Sequence, residues 1–443
     1  MMRILSGRSR KLTVVSLAAA TYFMVSGGPF GIEELIQDCG YKLGIALLVL
    51  VPIVWSLPVA LMVGELSAAI PAEGGYYVWV RRAMGSFWGF QAAWLSLMAS
   101  VFDMALYPTL FVLYLGRIWP LALQGPNRVL IAAAVVLVCV LWNLFGAKAV
   151  GSGSVVLGIL LLSPFVLIAL RALMRHAELT TSPVLNPAAH ADLLGGIMVA
   201  MWNYMGWDNA STVAAEVEKP QRTYPLVMII ALTAIVLSYI VPIVAVQQTH
   251  LAPGHWSAGS WASIASLVVG PWLGVAVVLG SMVSSFGSFN SLTMSYSRVP
   301  VAMAVDGYAP RLLTRRLPNG VPWASIVACG VGWTIALPLS FDRLLMLDIL
   351  LYGVSLVLEF LALILLRVRE PELLRPFTIP GGLVGVILAG VGPTLLLTVA
   401  LIRNRSEQIG HISALTVALA MMAAGVLIYF IATKFRKSTA IRP

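Results

Sequence analysis

Seven carboxylates sit within or at the ends of long apolar runs of this chain: Glu33, Glu34, Glu65, Asp103, Asp208, Glu216 and Glu359. No Lys or Arg lies deep in any of those runs. A charge at the centre of a bilayer costs at least about 2.5–3.5 kcal/mol even on the lenient insertion scale, so each acid is a functional candidate. An anionic interior without basic partners calls for bound cations or bound protons. Asp103 has Tyr107 four residues on and therefore on the same helical face. A carboxylate beside an aromatic ring suits an ammonium group through ion pairing and cation–π contact, although a hydrogen-bonded structural Asp is the plainer alternative. Trp202, Asn203, Tyr204 and Trp207 precede Asp208, and their rings could wall in an alkyl-ammonium chain or simply pack in the core. Tyr352, Ser355 and Glu359 recur at helical spacing on one stripe.

Glu34 follows a glycine-rich segment and could bind an amine or accept a coupling proton. Glu33 lies about 100° round the helix from it, so Glu34 is preferred for the cavity. Glu216 is expected to pair with Lys219 or Arg222 as an inner gate, and Glu65 with Arg81 or Arg82. Ser284, Ser285 and Ser288 could offer hydroxyls to sodium near the glycine-rich segment, and helix packing of small residues explains them equally well.

Other chemistry lacks its residues. The five histidines, His176, His190, His250, His255 and His411, fall in loops expected on the outer side, so intramembrane proton transfer cannot use His. Cys39, Cys139 and Cys329 are isolated and imply neither a disulfide framework nor a metal site. The chain has no Gly-x-x-x-x-Gly-Lys-Ser/Thr loop and no nucleophile triad, so no cofactor, metal or enzymatic activity is expected.

The elements that must position these groups are membrane helices. The 443 residues are 60% hydrophobic and 10% charged, with a mean hydropathy of +0.93. A soluble domain carries about a quarter of its residues charged. Windows of roughly 20 apolar residues, the length that crosses a bilayer, predict about twelve spans. They fall at 12–36, 43–70, 87–116, 129–147, 152–173, 195–216, 225–247, 266–297, 321–340, 344–366, 381–402 and 412–433. The net charge of +10 would suit a nucleic-acid partner, but with the N-terminus inside, twenty of the 28 Lys and Arg fall in the even-numbered loops and the tails. This positive-inside bias reports topology, with both termini cytoplasmic, and no nucleic-acid partner. Arg3, Arg8 and Arg10 before the first run resemble a signal peptide, but no small-residue cleavage site follows. The run reads as an uncleaved first span.

Two spans are interrupted. Ser26-Gly27-Gly28-Pro29-Phe30-Gly31 places three glycines and a proline in the first, and Trp202–Asn209 places polar and aromatic residues in the sixth. Irregular backbone at membrane depth survives only where it lines a cavity. Interruptions at corresponding positions of two halves point to the binding site of an inverted-repeat transporter.

These segments resemble the amino acid–polyamine–organocation superfamily, and more closely its polyamine uptake transporters. The resemblance is carried by Ser26–Glu34 (SGGPFGIEE), Pro71–Arg81 (PAEGGYYVWVR), Asp103–Pro108 (DMALYP), Trp202–Pro220 (WNYMGWDNASTVAAEVEKP) and Leu358–Pro376 (LEFLALILLRVREPELLRP). It implies an all-α membrane fold with a tail at 1–11, a first repeat at 12–173, an inverted second repeat at 195–366, two extra spans at 381–433 and a tail at 434–443. It also implies uptake by alternating access, usually coupled to protons, across a plasma or bacterial inner membrane, and it places Glu359 on a matching position. Some proton-coupled members carry a Lys in the fifth span, but Gly151–Leu170 has none. The expectation is proton-coupled uptake of a small polyamine such as putrescine or spermidine, with Glu34, Asp103, Asp208 and Glu359 as its anionic set. An amino-acid permease, its substrate carboxylate cradled by Gly27–Gly31, is the second reading. A channel or receptor, lacking a continuous polar pore or an output domain, is remote.

Overall fold

A computed structural model describes residues 11–174, 192–339, 341–404, 408–409 and 412–440. Arg3, Arg8, Arg10, His176, His190, His411 and Arg442, and with them nearly all of the expected N-terminal tail, lie outside the described residues. The architecture is an all-α bundle, with eight helices among the described residues long and apolar enough to cross a membrane. Shorter apolar helices at Val14–Val25, Asn127–Asn143 and Trp323–Thr334 complete much of the predicted pattern.

The first span opens on a capping box, in which Thr13 N–H donates to Ser16 Oγ at 2.8 Å and the Thr13 hydroxyl accepts from Ser16 N–H at 3.5 Å. Helix runs over Val14–Val25, stops through Ser26–Ile32, and resumes at Glu33. Gly40, at φ 67°, turns the chain into the second span. That span carries a π-helical turn at Pro52–Ser56, whose Trp55 and Ser56 face the sixth span. The predicted sixth span is α-helical only over Leu193–Trp202, after which short 3-10 turns at Trp207–Thr212 and Ala214–Glu216 carry the chain out. The eighth span starts at Pro271, not 266, because Gly270 at φ 148° separates it from a short helix at Trp261–Val268. The third span, Ser86–Ile118, packs on both the eighth and the tenth, Phe341–Arg369, and the first span lies against the fifth, seventh and eighth.

Ion pairs among the described residues gather at the end where the chain starts. Arg298 pairs with Glu216, Arg316 with Glu73, Arg81 with Asp306, Arg82 with Glu370, and Arg367 with Glu65. Two sequence expectations are thereby corrected. Glu216 meets Arg298 at 2.9 Å, not Lys219 or Arg222, because the end of the eighth span packs on the end of the sixth. Glu65, fully buried, meets Arg367 at 2.5 Å with Arg375 at 3.5 Å, and Arg81 and Arg82 are engaged elsewhere. Arg298 is itself buried, with a side chain only 1% exposed, whereas the sequence reading put it in a loop. Arg82 holds the Glu370 carboxyl below the usual carboxylate range. That partly exposed pair's small contribution persists above the ordinary pKa and fades only as pH falls through the lowered one.

Backbone pairing seals the same end. Leu12 N–H donates to Glu216 O at 2.9 Å, Glu218 N–H returns to Leu12 O at 2.9 Å, and Gly74 N–H donates to Thr212 O at 3.0 Å.

Breaking a buried pair from one side strands a charge and costs about 3–5 kcal/mol. Arg367→Ala is expected to lower the thermal unfolding midpoint in detergent, and adding Arg375→Ala, which removes the second guanidinium facing Glu65, to lower it further. An unchanged midpoint in the single variant would show that Glu65 does not depend on its partner.

Candidate functional site

The two interruptions lie against each other. Gly206, at φ 94°, sits where an added Cβ would stand 2.5 Å from the Met24 carbonyl oxygen, so only glycine permits the contact. A Cβ on Gly27 would likewise stand 2.6 Å from Ser284 Oγ.

Helix breaks free backbone polar groups, and the neighbouring spans supply partners for many of them. In the first break the Gly27 carbonyl accepts from Ser284 Oγ, the Pro29 carbonyl from Trp261 Nε1 at 2.5 Å, and the Gly31 carbonyl from Asn203 Nδ2 at 3.4 Å. Gly28 N–H donates to Ser26 Oγ at 3.0 Å and Gly31 N–H to Glu33 Oε2 at 2.6 Å. In the second break the Tyr204 carbonyl accepts from Trp55 Nε1 at 3.1 Å, Ser56 Oγ at 3.3 Å and Trp207 Nε1 at 3.0 Å. The Tyr239 hydroxyl bridges both breaks: it donates to the Asn203 carbonyl at 2.8 Å and stands 2.7 Å from Ser26 Oγ. Tyr352 donates to Asp208 Oδ1 at 2.6 Å, so its oxygen is left to accept Gly206 N–H at 3.3 Å.

Beside the breaks lie two cavities that share part of their lining. The inner one, a small chamber with room for about one water-sized group, is lined by Asp103, Asp348, Tyr107, Tyr296 and Tyr352 among others. Tyr107 donates to Asp103 Oδ1 at 3.0 Å and Tyr296 to Asp103 Oδ2 at 3.2 Å. Phenols hold a carboxylate without neutralising it. The outer cavity is a vestibule of about 1270 Å³, counted to its open mouth, and it includes Glu33, Glu34, Tyr114 and Ser284 in its wall. It opens at the end opposite the ion pairs, where Arg117 Nη2 donates to the Ala258 carbonyl at 3.0 Å on its lip. Val25, Tyr107 and Trp202 line both cavities, a shared stretch of wall termed the neck.

The structure sorts the residues singled out in the sequence. Asp103, Tyr107, Trp202 and Tyr352 line the chamber, and Gly27, Phe30, Gly31, Glu34, Asn203, Ser284 and Ser285 line the vestibule. Asp208 is buried behind Tyr352. Tyr204 and Trp207 are fully buried and bind backbone carbonyls, Tyr204 through its hydroxyl to Leu48 O at 2.9 Å, so they brace the break and do not wall the cavity. Ser26 and Gly28 are also buried away from both cavities. Ser285 Oγ returns to the Ser281 carbonyl of its own helix at 3.0 Å. Glu359 is buried with Ser355 Oγ at 3.5 Å from Oε1, and its Oε2 faces no hydrogen-bond partner.

Two acids were undervalued. Asp348 lines the chamber, although the sequence signal was present: it stands four residues before Tyr352 on the stripe that carries Ser355 and Glu359. Glu33, set aside for Glu34, is the buried member of the pair because its carboxylate folds back onto Gly31 N–H.

The family described as amino acid permease matches this chain over residues 18–433. The polyamine transporter RMV1 of Arabidopsis thaliana is 33% identical over 414 residues, covering 93% of this chain and 84% of the relative. The polyamine transporter PUT1 of Oryza sativa subsp. japonica is 34% identical over 401 residues, covering 89% of this chain and 74% of its own. An uncharacterised transporter of Legionella pneumophila is 25% identical over 389 residues, 79% of this chain and 81% of that protein.

The vestibule is a continuous opening, so its wall is accessible to solutes. In a variant lacking Cys39, Cys139 and Cys329, Leu110→Cys is expected to react quickly with a membrane-impermeant thiol reagent, while Ala210→Cys, fully buried behind the chamber, stays protected. Equal labelling of the two would contradict the vestibule.

Proposed function

The chain belongs to the amino acid permease family, a family of membrane transporters, and from that premise we propose that it takes up polyamines by proton-coupled alternating access. The observation that carries the substrate class is the chamber: Asp103 held by Tyr107 and Tyr296, Asp348 beside it and Asp208 buried behind Tyr352, with no basic side chain bonded to them among the described residues. A buried charge must be compensated, and ammonium groups of a substrate supply that compensation. The relatives named as polyamine transporters support the same reading.

The amino-acid alternative requires backbone N–H groups free to cradle a substrate carboxylate. Gly28 and Gly31 N–H are both taken by the chain's own oxygens, and the buried Glu33 carboxylate beside them would repel an anion. Proton coupling is supported by Glu359, whose buried carboxylate has no basic partner among the described residues and lies beyond the chamber on the tenth span. With the N-terminus cytoplasmic in a plasma or inner membrane, the vestibule faces outward and the ion-paired end is the closed inner gate. The facing breaks support the five-plus-five repeat over 12–173 and 195–366.

In proteoliposomes with an inward-acid gradient, labelled spermidine or putrescine is expected to accumulate, and unlabelled amino acids not to compete. Removing one member of a buried charge pair costs about 2–5 kcal/mol, so Asp103→Asn should raise KM by at least about tenfold. Amino-acid uptake that survives in this variant, with no polyamine flux in the wild type, would move the assignment to the amino-acid reading. Glu359→Gln should lose gradient-driven accumulation and keep substrate exchange; intact accumulation would remove it from coupling.

A further inference from the structure

Chamber and vestibule both carry acids, one set on each side of the neck of Val25, Tyr107 and Trp202. Each set includes a carboxylate oxygen with no hydrogen bond from a side chain among the described residues. Asp348 is 3% exposed, lines the chamber, and makes no hydrogen bond to the described residues, whereas both oxygens of Asp103 and one of Asp208 accept from tyrosines. Glu33 is 1% exposed and lines the vestibule; its Oε2 is held by Gly31 N–H, and its Oε1 is buried with no hydrogen bond of normal geometry among the described residues, only backbone of Gly259 and its own N–H lying near the carboxylate. Burying an unpaired acceptor is costly unless a ligand completes it. Between the two stations stand an indole and a phenol ring, surfaces that accept methylenes and cations. The whole is complementary to a chain with charge at both ends and hydrocarbon between.

Building on the functional reading above, we infer that the site binds a linear polyamine end-on, with one terminal ammonium at Asp348 and Asp103 in the chamber and the next at Glu33 in the vestibule. The neck then selects for the spacing between nitrogens. A single-charged amine fills one station, and a diamine too short to cross the neck cannot fill both. Asp348 and Glu33 thus become specificity-determining residues, a role the motif-based reading gave to neither.

The test measures inhibition of labelled spermidine uptake in proteoliposomes by diamines from diaminopropane to diaminooctane, with butylamine as the single-charge reference. For the wild type, affinity is expected to rise to an optimum at one spacing. Glu33→Gln, whose amide oxygen can still accept Gly31 N–H, should narrow the preference for spermidine over butylamine by about tenfold, the worth of about 1.4 kcal/mol. Asp348→Asn should weaken both amines. Gel filtration checks that each variant folds. A flat length profile in the wild type, or an unchanged spermidine-to-butylamine ratio in folded Glu33→Gln, would overturn the two-station site and leave polyamine transport standing. Absence of spermidine uptake in the wild type would instead overturn the functional reading on which it rests.

Discussion

Hydrocarbon contains no water to bond an exposed peptide group, and each one left unpaired costs several kcal/mol. Two spans of this protein stop being helical midway, so the fold turns on how the freed groups are satisfied. The partners come from the second span through Trp55 and Ser56, the seventh through Tyr239, the eighth through Ser284 and the tenth through Tyr352. A further donor, Trp261, comes from the short helix before the eighth span. The breaks are therefore the hub that ties four other spans together. The π-helical turn at Pro52–Ser56 serves the same end, since it carries both side chains that reach the Tyr204 carbonyl.

This constraint divides the polar residues into two groups. Hydroxyls and indoles are largely consumed by the backbone: Ser284 by Gly27, Tyr239 by Asn203, Trp207 by Tyr204. Carboxylates cannot donate when ionised and so cannot serve freed carbonyls. They remain for ligands. Their partners differ with position. At the N-terminal end Glu65, Glu73, Glu216, Asp306 and Glu370 each meet a guanidinium, whereas Asp103 accepts from the phenols of Tyr107 and Tyr296 and Asp208 from that of Tyr352. A guanidinium cancels a charge, and a phenol only orients it.

Much of the fold was legible because span length and the glycine-proline break are local properties. Both interruptions were readable, as were Asp103 with Tyr107 and the stripe of the tenth span. Asp348 obeyed the same spacing but stood near the predicted start of its span, where a charge is easily taken for a terminal residue. The ion-pair partners were not legible, since Glu216 and Arg298 are 82 positions apart and Glu65 and Arg367 are 302 apart. Sequence proximity favours Lys219 or Arg81, and packing of helix ends decides otherwise. The bracing role of Tyr204 and Trp207 was hidden for a similar reason: a ring that walls a cavity and a ring that caps a carbonyl have the same sequence signature. Glu34 does line the vestibule; what the sequence did not show is that Glu33 lines it too, its carboxylate folded back 2.6 Å from Gly31 N–H.

The asymmetry between the two ends bears on how the proposed cycle would run. A ligand shifts a conformational equilibrium only by its differential affinity for the two states. Closing the vestibule over an empty chamber would shut in the already buried Asp103 and Asp348 with no counter-charge, while opening the other end would separate Arg298 from Glu216 and Arg316 from Glu73. Both changes are unfavourable in the empty carrier. Ammonium groups or protons in the chamber remove the first penalty, because the carboxylates enter the closed cavity already compensated. The second penalty is the same for every cargo. In this reading, the tyrosine-held acids make closure depend on charge delivered from outside, and the ion pairs set the threshold that this charge must exceed.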